Sequence, residues 1–129
     1  MNRIAKRSNC PIGMTLDVIG DRWTLLVIRD LLFANKQTYK ELSDLPEHIA
    51  TNILADRLDR LEEAHIVMKC PDPRDGRKYI YTLTQKGIDL LPMLIEMIRW
   101  GMKYNDDADY PRATVNKVTQ QLLADPMRV

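Results

Sequence analysis

A chain of 129 residues, 45% apolar and 29% charged, is long enough to bury one real core and too apolar for wholesale disorder. Its net charge of +1 means that attraction to a polyanion has to come from the distribution of charge and not from the total. No basic segment leads into a continuous apolar run, no stretch reaches membrane-spanning length, and two cysteines are too few for a disulfide scaffold, which together predict a cytoplasmic protein without a membrane partner.

The opening MNRIAKRSNCPIG carries Arg3, Lys6 and Arg7 ahead of a proline and a glycine and reads as a loose basic arm over residues 1–13. Met14 to Ile19 is expected to form a short helix ending at Gly20. Asp21 can cap a second helix, in which Trp23, Leu26, Val27, Ile28, Leu31 and Leu32 recur at a spacing wide enough to be mostly core. Asn35 and Lys36 end it. Thr38 with Glu41 three residues later matches a capping box and opens a third helix at TYKELSDL. PEHI is a turn, and ATNILADRLDRLEEA is the next helix. At about 100° per residue, its Ala50, Ile53, Leu54, Leu58 and Leu61 gather on one side. Asn52, Ala55, Asp56 and Asp59 fall opposite, with Thr51 at the margin.

HIVMKC is a short strand and KYIYTLT a return strand, with a charged tip between them in which Gly76 is expected to supply the freedom to turn. Thr84 then caps a long helix over about residues 85–103, bent at Pro92. Residues 104–129 form an acidic connector followed by a modest amphipathic pattern at Val115, Val118, Leu122 and Leu123. The order predicts a mainly α fold with a small β-hairpin wing, a winged helix-turn-helix domain over residues 14–103.

In such a module the second helix of the pair enters the major groove by its first turns. Thr51 and Asn52 are best placed to reach base edges, with Ala55 on the same face and Tyr39 and His48 beside them. Asp56 and Asp59, later on that face, would repel phosphate and lift the far end of the helix away. The hairpin would set Arg74, Arg77 and Lys78 on the neighbouring backbone or in a minor groove, where cations supply affinity. Arg57 lies near the edge of the apolar side, where a tie to a carboxylate such as Glu41 or to a carbonyl competes with a phosphate contact.

CPIGMTLDVIGDRWTLLVIRDLLFANKQTYKELSDL, IATNILADRLDRLEE, RKYIYTLTQKG and LLPMLIEMIRWG together resemble the HxlR family of bacterial winged-helix transcription regulators, from about Cys10 to Gly101. The resemblance implies a homodimer on a double-stranded DNA operator, a recognition helix beginning near Thr51 and a wing around Gly76. It also implies that Cys10, as in some members of the family, senses an oxidant or an electrophile such as a quinone or aldehyde. This chain departs from the family pattern at Asn35 to Thr38, where a glycine and a basic residue are usual, and at Tyr39, where phenylalanine is more common.

The helix after Thr84 is apolar around nearly its whole circumference, so one side needs a partner, and a second copy is the economical one. Leu91, Leu94, Ile95, Ile98 and Met102 are the expected dimer contacts. Lys6 and Arg7 near Cys10 favour its thiolate, whereas Cys70 reads as structural. Ser8, Ser43, His48 and His65 match no hydrolase or metalloprotease spacing, so no enzyme is expected. Asp106, Asp107 and Asp109 lack the glycine and closing glutamate of a calcium loop, and no metal or cofactor is expected. Two rivals remain: a MarR-like regulator holding a small aromatic effector, and a winged-helix interaction module without DNA binding, favoured by Asp56, Asp59, Glu62 and Glu63.

Overall fold

The computed structural model describes residues 9–108, so the charges at Arg3, Lys6 and Arg7 and the pattern from Val115 to Leu123 lie outside the described residues. The elements run α1 (Pro11–Ile19), α2 (Arg22–Phe33), α3 (Tyr39–Leu42), α4 (Thr51–Glu63), β1 (Val67–Asp72), β2 (Asp75–Leu83), α5 (Gln85–Ile88) and α6 (Leu91–Tyr104). They fall into two compact units that divide between Ile88 and Asp89.

In the first unit, α1 begins at Pro11 and not at Met14. A proline suits the first helical position, where its fixed φ is already helical and its missing N–H has no partner to lose. The arm expected over residues 1–13 therefore gives up its last three residues to a helix. Asp21 caps α2 as expected, accepting from the N–H groups of Trp23 at 2.8 Å and Thr24 at 3.1 Å. The capping box at α3 is complete: Thr38 Oγ1 takes the Glu41 N–H, and Glu41 Oε1 takes the Thr38 N–H, each at 3.1 Å.

Among the described residues three non-glycine residues sit at positive φ, all of them outside the helices and strands. Asn35 follows α2, where an asparagine tolerates the left-handed conformation. His48 closes the turn before α4, its N–H on the Leu45 carbonyl at 3.0 Å. His65 ends α4 in a Schellman motif, with His65 N–H on Glu62 O at 3.0 Å and Ile66 N–H on Leu61 O at 2.9 Å. The helix stop thus consumes His65 and Ile66, and the strand starts later than expected, at Val67.

The core of this unit is built from Val27 and Ile28 of α2, Leu42 of α3, Leu45 and Ile49 of the turn, and Leu54, Leu58 and Leu61 of α4, all buried. The apolar side of α4 expected from its periodicity is therefore the buried one, with Ile53 half-buried and Ala50 left exposed. Ile66, Val67 and Tyr81 extend the core to the hairpin. β1 and β2 pair antiparallel from Val67↔Leu83 to Pro71↔Tyr79. Beside them, Tyr81 N–H donates to Gln37 O at 2.7 Å and Thr38 bridges Ile80, which ties the hairpin to the chain just before α3.

The single helix expected over about 85–103 is two helices, α5 and α6. Inside a continuous helix Pro92 would remove one hydrogen bond and press its ring on the carbonyl of Ile88, four residues earlier. Opening α6 at Leu91 puts Pro92 in the first turn, where neither cost arises. In this second unit Leu91, Leu94 and Ile95 are buried, while Met97, Trp100 and Tyr104 are exposed.

Candidate nucleic-acid interface

The first turn of α4 is exposed and polar while the opposite side of the same helix is sealed. Thr51, Asn52 and Ala55 face solvent and Leu54 and Leu58 are buried, so the helix cannot roll without exposing its core stripe. Ala50 holds the cap position with no side-chain hydrogen bond to the first turn. The opening N–H groups of α4 therefore have no side-chain cap, and they carry the positive end of the helix dipole.

Several ties hold this helix and the turn before it. Arg29 of α2 reaches the turn through a bidentate pair with Glu47, at 2.7 and 3.0 Å. Asp30, buried at 4% exposure, receives Arg29 Nε at 2.9 Å and Lys36 Nζ at 2.8 Å, and Lys36 also donates to the Asp44 carbonyl. Glu47, ahead of Asp30, holds the Arg29 guanidinium above its already high pKa against the effect of burial. In return Arg29 holds the Glu47 carboxyl below the usual carboxylate range. Arg57 of α4 donates through Nε to Asp21, at 3.2 Å from Oδ1 and 3.1 Å from Oδ2, so the residue that caps α2 also anchors α4. Burial opposes the charge on Asp21, but Thr24 and Arg57 outweigh it and lower its pKa.

Arg57 is thus a structural arginine, but its carboxylate is Asp21 and a neighbour in sequence, Asp56, not Glu41. Glu41 is occupied at the start of α3, where it accepts from Gln37 and Thr38. From sequence Asp21 is expected only to cap α2, because a link to a residue 36 positions away leaves no local signal.

The hairpin tip is built differently from the expectation. Pro73 and Arg74 make the turn, and Gly76 lies within β2 without a positive φ, so the sharp turn assigned to Gly76 is overturned. The ladder is irregular after Pro71↔Tyr79 and closes again at Asp72↔Asp75. Gly76, Arg77 and Lys78 lie between those two pairs, displaced from the regular register. The side chains of Arg74 and Arg77 are 86% and 91% exposed, and Lys78 is exposed beside them. Two carboxylates organise the tip: Asp72 takes the Arg74 N–H at 2.8 Å, and Asp75 takes the Arg77 N–H at 3.1 Å and its Nε at 3.2 Å. The Arg77 N–H and then its guanidinium hold the Asp75 carboxyl below its usual range. Between Lys69 and Lys78 four cations, Lys69, Arg74, Arg77 and Lys78, outnumber Asp72 and Asp75, so the tip stays net positive.

Tyr39 is half-buried, and its hydroxyl donates to the Thr51 carbonyl at 2.7 Å. His48 is exposed in the turn ahead of α4. Cys10 is exposed at the start of α1, and the N–H groups of Gly13 and then Ile12 hold its thiol pKa below the ordinary value. Cys70 is half-buried in β1. Of the expected dimer contacts, Leu91, Leu94 and Ile95 are buried within the single chain, and Ile98 and Met102 are half-buried. The exposed apolar residues of α6 are Met97, Trp100 and Tyr104, with the Trp100 and Tyr104 rings 5.3 Å apart. Periodicity could not choose between these two faces, because nearly every position of the helix is apolar.

Among the described residues no group of three or more His, Cys, Asp or Glu side chains could hold a metal ion, and Asp109 lies outside them. No described helix is long and apolar enough to cross a membrane.

Residues 18–109 match the family model described as HxlR-like helix-turn-helix. The HTH-type transcriptional regulator YodB of Bacillus subtilis is 34% identical over 101 residues, 78% of this chain and 89% of YodB. The structure of reduced YodB superposes with a TM-score of 0.61 at 31% identity, over 79% of this chain and 100% of that one. The same regulator has been solved after diamide treatment and with a quinone bound. The redox regulator HypR in its oxidized form superposes with a TM-score of 0.63 at 30% identity, over 74% of this chain and 98% of HypR. These likenesses identify the hairpin as the wing of a winged-helix regulator.

Proposed function

Because the chain belongs to the HxlR-like helix-turn-helix family of transcriptional regulators, we propose that it binds a specific DNA operator as a homodimer, with α4 as the reading helix and the hairpin tip on the phosphate backbone or in a minor groove. The observation that carries this reading is the solvent-facing polar first turn of α4, on a helix whose Leu54, Leu58 and Leu61 are buried. Thr51 and Asn52 offer donors and acceptors to base edges, and Ala55 leaves room for close approach. His48 lies beside them, and Arg74, Arg77 and Lys78 supply sequence-independent attraction.

Fluorescence anisotropy with duplexes separates the two roles. Arg77→Ala is expected to weaken binding to all duplexes alike and to lower the salt slope by about one. Asn52→Ala is expected to change which sequence is preferred, by about 1–3 kcal/mol at one base pair. Equal losses for both variants on specific and random duplexes would mean that α4 does not read the bases. The acidic side chains of Asp56, Asp59, Glu62 and Glu63 on α4 favour the rival interaction module, and absent or salt-insensitive duplex binding would select it.

Cys10 is the thiol through which an oxidant or electrophile acts. Its exposure, its lowered pKa and the likeness to YodB and HypR support this assignment. Cys10→Ser should bind DNA as the parent does and no longer respond to diamide in the anisotropy assay. A response that persists removes Cys10 from the role. A thermal shift with phenols that survives in Cys10→Ser would point instead to a reversibly bound small aromatic effector.

A further inference from the structure

The first residue of α4 is held from another helix. No side chain caps α4 and no acidic residue stands in its first turn, whereas the Tyr39 hydroxyl donates to the Thr51 carbonyl at 2.7 Å. Tyr39 is itself well fixed. It is the first residue of α3, enclosed by the complete Thr38–Glu41 capping box, and Leu42 of the same short helix is fully buried. On the other side, Gln37 accepts the Tyr81 N–H of β2 at 2.7 Å, so the segment carrying Tyr39 is pinned between the wing and the core.

We propose that Tyr39 is a positioning residue whose hydroxyl sets the attitude of the Thr51–Asn52 edge, and so acts on sequence discrimination without touching DNA. The proposal rests on α4 being the reading helix. Its chemistry follows from the single phenolic proton. Donated to Thr51, that proton is no longer available to a phosphate, and what remains on the oxygen are acceptor lone pairs that a phosphate oxygen repels. A group that only orients a reading edge affects contacts demanding good geometry, such as paired hydrogen bonds to one base, far more than diffuse attraction between charges.

Tyr39→Phe removes the hydroxyl and keeps the ring. The full chain is tested by anisotropy against two probes across a salt series: a duplex enriched by the parent protein from a random pool, and an unrelated mixed-sequence duplex. Affinity for the enriched duplex is expected to fall about 3- to 10-fold, as loss of one net hydrogen bond would give. Affinity for the unrelated duplex is expected to stay within about twofold and the salt slope to be unchanged, because no phosphate contact is lost. A melting temperature within about 3 °C of the parent confirms that the fold is intact. Equal loss on both duplexes overturns the proposal in favour of a direct phosphate contact, and no loss on the enriched duplex overturns it outright. A parent protein that enriches no sequence overturns the reading of α4 and the proposal with it, an outcome visible before any variant is made.

Discussion

In thermal melts Gly87→Ala is expected to unfold about 10 °C below the parent protein, and Gly76→Ala within about 2 °C of it. A Cβ at Gly87 would stand 2.4 Å from the Ile66 carbonyl oxygen and 2.8 Å from Leu83 Cδ2. The obstacle is backbone, and it is tethered: Ile66 O accepts the Thr84 N–H at 2.9 Å and the Thr84 hydroxyl at 3.1 Å. Moving it would loosen both bonds and the join between the end of α4 and the return from the wing, so the cost falls at the upper end of overpacking, about 3 kcal/mol. At Gly76 nothing lies within 4 Å of an added Cβ, and the backbone is not at positive φ. Alanine there loses no contact and restricts the unfolded chain slightly. Duplex binding by Gly76→Ala is expected to match the parent. A melt for Gly76→Ala as depressed as that for Gly87→Ala would show that the wing does need glycine at its tip.

Trp100→Asp is expected to leave a monomer in sedimentation equilibrium and to weaken operator binding by about 10²- to 10⁴-fold, the loss expected when two linked half-site contacts become one. Trp100 is 67% exposed, Met97 and Tyr104 lie on the same exposed side of α6, and large apolar side chains grouped in this way ordinarily face a partner. Glu96, paired with Arg99 at 2.7 Å, lies one helical turn from Trp100, so Glu96→Gln, which removes a charge and no apolar surface, is the matching control and should remain dimeric. A Trp100→Asp protein that stays dimeric moves the interface elsewhere, and one that is monomeric yet binds at full strength removes the need for a dimer.

Much of the domain was legible because its signals are local. The Thr38–Glu41 box, the Asp21 cap and the Leu54, Leu58, Leu61 stripe each depend on residues a turn or two apart, and the structure keeps all three. At two places local rules compete. Gly76 looked like the turn residue, yet Pro73 and Arg74, stabilised by the Asp72 carboxylate, make the turn with no positive φ. Pro92 looked like a bend in one helix, yet the cheaper solution places it in the first turn of a second.

By itself the sequence determined the order of elements as far as the return strand of the hairpin, the winged-helix class and the buried side of α4, because backbone propensity and hydrophobic period act over short stretches. Only the tertiary structure decided that Arg57 pairs with Asp21, that Arg29 clamps Glu47 and that the Tyr39 hydroxyl reaches Thr51. It also decided which apolar side of α6 is buried and which is left exposed. The physical reason is the same in each case. A charged or hydroxyl group has several chemically equivalent partners along a chain, and an all-apolar helix has several equivalent faces. Packing of the core selects among them by bringing one within a few ångströms.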